Sequence, residues 1–182
     1  MEPSKQISLA ALGDEFHRAF DSALILARKR LGQTHRLWIK GRSLKSSAGT
    51  FQTVLPSDSR IVAGKFQKAT RGLVAQAIKT SSDAGRFWRE FGWQQRVAYL
   101  RKAAELIAGH QHELAALISL EMGKCRFDAF AEVNEAIQTM LYYCQQTERH
   151  HGFAYRMNGA TEELNQCTLR PHGVWALVTS FN

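Results

Sequence analysis

Few side chains in this sequence could begin a reaction, and their spacing separates them. Seven His invite a metal reading. His110 and His112, however, are two apart, which on a helix sends them to different sides, whereas helical zinc ligands stand three or four apart. His150 and His151 adjoin a helix end, where imidazole meets terminal carbonyls favourably. No metal site is expected. The three Cys, at positions 125, 144 and 167, form neither a disulfide framework nor a CxxC pair and point to a reducing compartment. Cys125 follows Gly123-Lys124 at a helix junction, where a thiol pKa can be lowered, yet nothing adjacent supplies a clear base. Cys144 falls on an apolar helical stripe and reads as core, and Cys167 alternates within a presumed strand with no assigned role. No GxGxxG or GxxxxGK[ST] loop occurs, so the phosphate signatures that spacing alone could argue are missing. What remains is residues 171–182: a turn, a continuous apolar run, and the amide of Asn182 at the run's carboxyl end, where open α/β sheets place ligand-contacting groups. A carboxamide is a neutral, fixed donor suited to a developing oxyanion. The competing reading is a loop Asn that only caps a turn.

Such groups need elements to hold them. Over residues 8–31, Leu9, Leu12, Phe16, Phe20, Ala23, Leu24, Ala27 and Leu31 recur three or four apart, which predicts a helix with one apolar stripe, stopped by Gly32. From residue 36 to 69 short apolar or alternating runs are punctuated by Gly41, Gly49, Pro56 and Gly64, as for two to four strands with tight turns. Thr70 is placed to cap a helix over residues 71–87. After Gly92 the most periodic segment runs over 94–122, with Gly109 as a possible break, and Gly123 closes it. A further helix is expected over 127–149, antiparallel to the one before it. Strands follow at 153–157 and 166–170. Residues 174–179, a nearly continuous apolar run, predict a strand buried on both faces in a parallel sheet. Such a strand needs neighbours on both sides, and the chain stops at Asn182 before any could be made. The expectation is a truncated α/β chain.

Composition narrows the class. The 182 residues are 45% apolar, enough for a real core. No run approaches the roughly 20 apolar residues of a membrane span, and the N-terminus lacks a signal-peptide stretch. A cytoplasmic protein without membrane attachment is expected. The net charge of +8 is unevenly placed. Between Arg28 and Arg71 stand eleven Lys or Arg against one acid, Asp58, a balance of +10 that leaves about −2 for the remainder. A nucleic-acid surface through residues 28–71 is one reading of this stretch. Its cations alternate with apolar residues instead of forming a block, so solvated faces of short strands are the preferred reading.

Taken in order, several segments resemble the aldehyde dehydrogenase superfamily. These are residues 88–96, then Leu117-Ile118-Ser119-Leu120-Glu121-Met122-Gly123-Lys124, then Asp128-Ala129 with Glu132-Val133-Asn134-Glu135-Ala136-Ile137. Tyr142-Tyr143, Arg170-Pro171-His172-Gly173-Val174-Trp175 and Ser180-Phe181-Asn182 follow. Three features are most similar to the 1-pyrroline-5-carboxylate dehydrogenase group. They are a helix ahead of Leu37-Trp38-Ile39-Lys40-Gly41, the stretch from Val62 to Thr70, and the segment Ala131-Glu132-Val133-Asn134-Glu135-Ala136.

The resemblance implies the N-terminal part of an aldehyde dehydrogenase-like fold. Residues 1–152 would belong to the cofactor-binding domain, 153–170 would form strands through which copies associate as a homo-oligomer, and 171–182 would make the first central strand of a Rossmann-like sheet and the start of the oxyanion turn. It implies NAD(P) as the cofactor of an intact enzyme and a small aldehyde, glutamate 5-semialdehyde, as its substrate. Asn182 would donate to the oxyanion, backbone at Thr179, Ser180 and Phe181 would line the cofactor cleft, and Glu135 would help shape the substrate pocket. Thr179-Ser180 stand where the family has an apolar residue and then Pro, which leaves the turn less constrained. None of the three Cys matches the family's nucleophile motif, and the general-base Glu would also lie past residue 182. The chain alone is therefore expected to be inactive and to bind no cofactor tightly. A non-catalytic binding or assembly module remains the alternative.

Overall fold

A computed structural model describes residues 13–160 and 162–179. They divide into two compact units. The first comprises residues up to 35 together with 49–68 and 107–136, and the second comprises 36–48, 69–106 and residues from 137 onward.

The first unit is built on the stripe expected of its opening helix. Helix α1 spans Asp14–Arg28, beginning within the stretch the spacing predicted. Phe20, Ala23 and Ala27, at successive turns, are its buried side chains. This face packs on α4, Gln111–Met122, whose Ala115 and Ala116 have no exposed surface and so let the helices approach closely. The Phe16 ring meets Phe130 edge-on at 5.0 Å, with His112 5.6 Å away. The Arg126 guanidinium lies 5.2 Å from the centre of the Phe20 ring and pairs with Asp21 at 3.1 Å. Arg30 pairs with Glu113, and His110 Nδ1 lies 3.2 Å from the same carboxylate. His110 and Arg30 together hold the Glu113 carboxyl below the usual carboxylate range.

A three-stranded sheet completes this unit in the order β1 (Thr34–His35), β5 (Asp58–Gln67), β4 (Thr50–Leu55). β4 and β5 form the antiparallel hairpin that Pro56-Ser57 suggests, while β1 joins β5 in parallel, with Thr34 opposite Lys65. Gly32 does not end α1 directly. The helix stops at Arg28, and the Gly32 N–H donates to the Ala63 carbonyl at 3.1 Å, which brings the chain onto the sheet edge. Between α4 and α5 (Arg126–Arg149), Gly123 takes the left-handed C-cap conformation at φ 73°. Lys124, in that link, pairs with Glu132 of α5. α4 and the first turns of α5 run antiparallel, since Gln111 reaches the Phe130 carbonyl while Ser119 reaches that of Lys124.

In the second unit β2 (Leu37–Ile39) and β3 (Arg42–Leu44) form a hairpin around Lys40-Gly41, both at positive φ as a type I′ turn requires. β2 lies against α2, Arg71–Glu90. As expected, Thr70 caps that helix, its hydroxyl accepting from the Leu73 N–H at 3.2 Å. Thr70→Ala is expected to lower stability by about 1 kcal/mol, and Thr70→Ser to restore most of it, as read from urea midpoints. Helix α3, Trp93–Gly109, ends at the suspected break, with His110 separating it from α4. Val97, Ala104, Ile137 and Cys144 form the buried centre, and Arg101 forks onto Glu148 at 3.2 and 2.7 Å. Cys144 is fully buried, as its place on the stripe predicts. Past α5, Gly152 sits at φ 76° against Trp93, where a Cβ would drive into the indole ring. The hairpin β6 (Ala154–Met157) and β7 (Asn165–Thr168) follows, with every strand position exposed.

Residues 174–179 form no strand, and Val174, Trp175, Leu177 and Val178 are 45–95% exposed. Strand geometry and burial both come from partners, and no described strand lies beside this run. The anticipated first central strand is thus an unpaired extended segment, and burial of this run lends no support to any family.

Candidate functional site

A cleft lies within the second unit, where the last turns of α2 face residues 171–175 around about 660 Å³. Its α2 wall is aromatic, with Trp88 6.0 Å from both Phe91 and Tyr99. The end of α2 is held by Arg96, whose guanidinium donates to the Phe91 carbonyl at 2.5 Å. On the other wall Pro171 restricts the backbone, and Gly173, at φ 115°, makes a turn that an L side chain would strain. The His172 and Trp175 rings meet edge-on at 6.1 Å. Apolar faces with one imidazole and one guanidinium, Arg89, suit a flat, partly polar molecule. The sequence reading did not single out this α2 wall. Its signal was the cluster Phe87-Trp88 with Phe91 beside Gly92, read there as the end of a helix and as part of the segment 88–96 that carries the resemblance, with no cleft assigned to it.

The expected site residues are placed as follows. Asn182, Ser180 and Phe181 lie outside the described residues. Thr179 is exposed in the unpaired segment that leaves the cleft wall, in the second unit. Glu135 is exposed on α5, in the first unit, and among the described residues it has no ion-pair partner.

The remaining candidates resolve one by one. Cys125 precedes α5, its sulfur 3.1 Å from the Asp128 carboxylate and accepting from the Asp128 N–H at 3.4 Å, so the thiol caps a helix. Cys167 is exposed on β7. His150 stacks on Phe153 at 5.2 Å beyond the end of α5. His112 is wedged between Phe16 and Phe130, and its Nε2 is buried without a partner. Among the described residues no group of three His, Cys, Asp or Glu could hold a metal ion, and no helix is long and apolar enough to cross a membrane.

Comparison with known proteins gives this geometry its context. Residues 43–182 match the model of the aldehyde dehydrogenase family. The chain is 32% identical over 165 residues to 1-pyrroline-5-carboxylate dehydrogenase 2 of Bacillus subtilis, covering 90% of this chain and 32% of that protein. It is 30% identical over 166 residues to 1-pyrroline-5-carboxylate dehydrogenase 1 of Halalkalibacterium halodurans, covering 91% of this chain and 32% of that one. Its fold is similar to that of a 1-pyrroline-5-carboxylate dehydrogenase from Thermus with bound NAD. The TM-score is 0.80 at 27% identity, over 88% of this chain and 31% of that one. The chain spans about a third of the length of these curated relatives. With three quarters of its residues inside the family model, the chain belongs to the aldehyde dehydrogenase family.

Proposed function

We propose that this chain supplies the N-terminal portion of an NAD(P)-dependent aldehyde dehydrogenase that oxidises L-glutamate 5-semialdehyde, the open form of 1-pyrroline-5-carboxylate, to glutamate. One observation carries the reading. The Leu120-Glu121-Met122-Gly123-Lys124 helix end and the Pro171-His172-Gly173-Val174-Trp175 run both fall, in order, within residues 43–182 matched by the family model, and relatives at 30–32% identity are named 1-pyrroline-5-carboxylate dehydrogenases.

In this reading Asn182 donates its side-chain N–H to the oxygen that gains negative charge as a nucleophile, contributed from outside residues 1–182, adds to the aldehyde. A neutral, fixed donor stabilises that oxyanion without a proton transfer. Thr179, Ser180 and Phe181 present backbone groups to the cofactor. The fit is supported by the extended run that ends at Thr179, whose peptide groups are spent in no sheet ladder. With no glycine-rich phosphate loop in its sequence, the chain supplies only one wall for the nucleotide. NAD(P)+, when bound, supplies the hydride acceptor. In the same reading Glu135, exposed on α5, helps shape the substrate pocket. The β6–β7 hairpin, exposed at each strand position, offers open strand edges for association of copies.

The test is a chimera in which residues 1–182 are joined to the remaining two thirds of the Bacillus subtilis relative. It is expected to form NADH from glutamate semialdehyde, and Asn182→Ala to lower kcat by about 10²- to 10³-fold. A folded chimera that oxidises propanal but not glutamate semialdehyde overturns the substrate. An Asn182→Ala chimera with unchanged kcat overturns the role of the amide.

A further inference from the structure

Between Asp21 and Asp58 the sequence holds no acid, and the β2–β3 hairpin sits in the middle of that stretch. The hairpin has two unlike faces. Leu37, Ile39 and Leu44 are half-buried. Positions alternate across a strand, so the other face carries Trp38, paired with Ser43, with Arg36 and Lys45 two residues away from each. Arg36, Trp38 and Lys45 are all exposed, the indole at 71%. Lys40 and Arg42 flank the turn, and among the described residues none of these four cations has a carboxylate partner. Charge alone suggested solvated strand faces. The hairpin register adds a bare aromatic plane framed by unpaired cations.

We propose that this outer face binds an unpaired strand of nucleic acid, with a base stacked on the Trp38 indole and neighbouring phosphates met by Arg36 and Lys45. Stacking tolerates any base, because every base has a π-face, and a cationic rim follows the backbone. A lipid surface fits less well. Membrane-seeking loops carry apolar residues at the tip, whereas here the tip is Lys40-Gly41 and the one exposed ring lies on the flat of the strands. This inference is independent of the dehydrogenase reading.

The test titrates the full chain into fluorescein-labelled oligothymidylate and oligouridylate of about 20 nucleotides and follows anisotropy. Micromolar binding is expected at about 50 mM salt, weakening about 7-fold by about 200 mM, the slope for two phosphate contacts on a single strand. Trp38→Ala is expected to weaken binding by about 5- to 150-fold, while Trp38→Phe keeps most of it. Arg36→Ala with Lys45→Ala is expected to flatten the salt slope. Absence of salt-sensitive binding up to about 100 μM overturns the proposal, since that is already the weak end of non-specific affinity. So does a Trp38→Ala chain of native circular dichroism that binds as the parent does. Retention on phosphatidylserine vesicles without oligonucleotide binding overturns it in favour of a lipid surface.

Discussion

Assayed alone with saturating NAD+ and either glutamate semialdehyde or propanal, the 182-residue chain is expected to form no NADH above the protein-free rate. Covalent aldehyde oxidation needs a thiolate beside a group that activates it and open to the substrate. Each cysteine here lacks some part of that arrangement. Cys144 has no exposed surface, and its sulfur faces the Val97 carbonyl at 3.9 Å. Cys125 is exposed but engaged with Asp128 as a helix cap, with no base beside it among the described contacts. Cys167 stands exposed on a two-stranded hairpin, outside the cleft lined by α2 and residues 171–175. Without a nucleophile the aldehyde carbon is left unattacked. Absorbance at the NADH band measures the outcome. Turnover that persists after mass spectrometry has verified the chain's length would falsify the expectation.

Phe20→Ala is expected to destabilise the first unit by about 3–5 kcal/mol, the range for emptying a large aromatic site in a packed core. Phe20 is 1% exposed, and with Cys144 it is one of the two largest fully buried side chains among the described residues. Its removal opens a cavity between α1 and α4, and Arg126 loses the ring beneath its guanidinium. Ala23, Ala115 and Ala116, the small buried residues of these two helices, have no length with which to fill the space. A loss of that size is a large part of the 5–15 kcal/mol that holds a typical domain together. Ile25→Ala, on the same helix at 59% exposure, is expected to stay within about 0.5 kcal/mol. Equal shifts in the urea midpoint for the two variants would remove Phe20 from its place as the anchor of α1.

Much of the fold was legible because it is local. Thr70 caps α2, Gly109 marks the break before α4, and Gly123 ends it, each through bonds reaching only a few residues along the chain. The stripe through Phe16, Phe20, Ala23 and Ala27 predicts the buried face of α1 for the same reason. The small strand layer was legible in kind but not in pairing. Nothing in the pattern says that β1 would join β5 in parallel, or that Arg30 would meet Glu113 across 83 residues of sequence. The α2 wall of the cleft was missed because Phe87, Trp88 and Phe91 read as the end of a helix until the 171–175 segment lies opposite them.

By itself the sequence determined where helices start and stop, which of their faces are apolar, and the ordered motifs that carry the family resemblance. Spacing and capping are properties of neighbours along the chain, so these survive without tertiary information. The tertiary structure alone decided burial. α2 has a clear apolar stripe yet no buried residue, and the continuous apolar run of residues 174–178 lies exposed and unpaired. An apolar side chain states only that burial would be favourable. Whether it is buried depends on a surface brought to it from elsewhere, and that surface is set by long-range packing that no local pattern encodes.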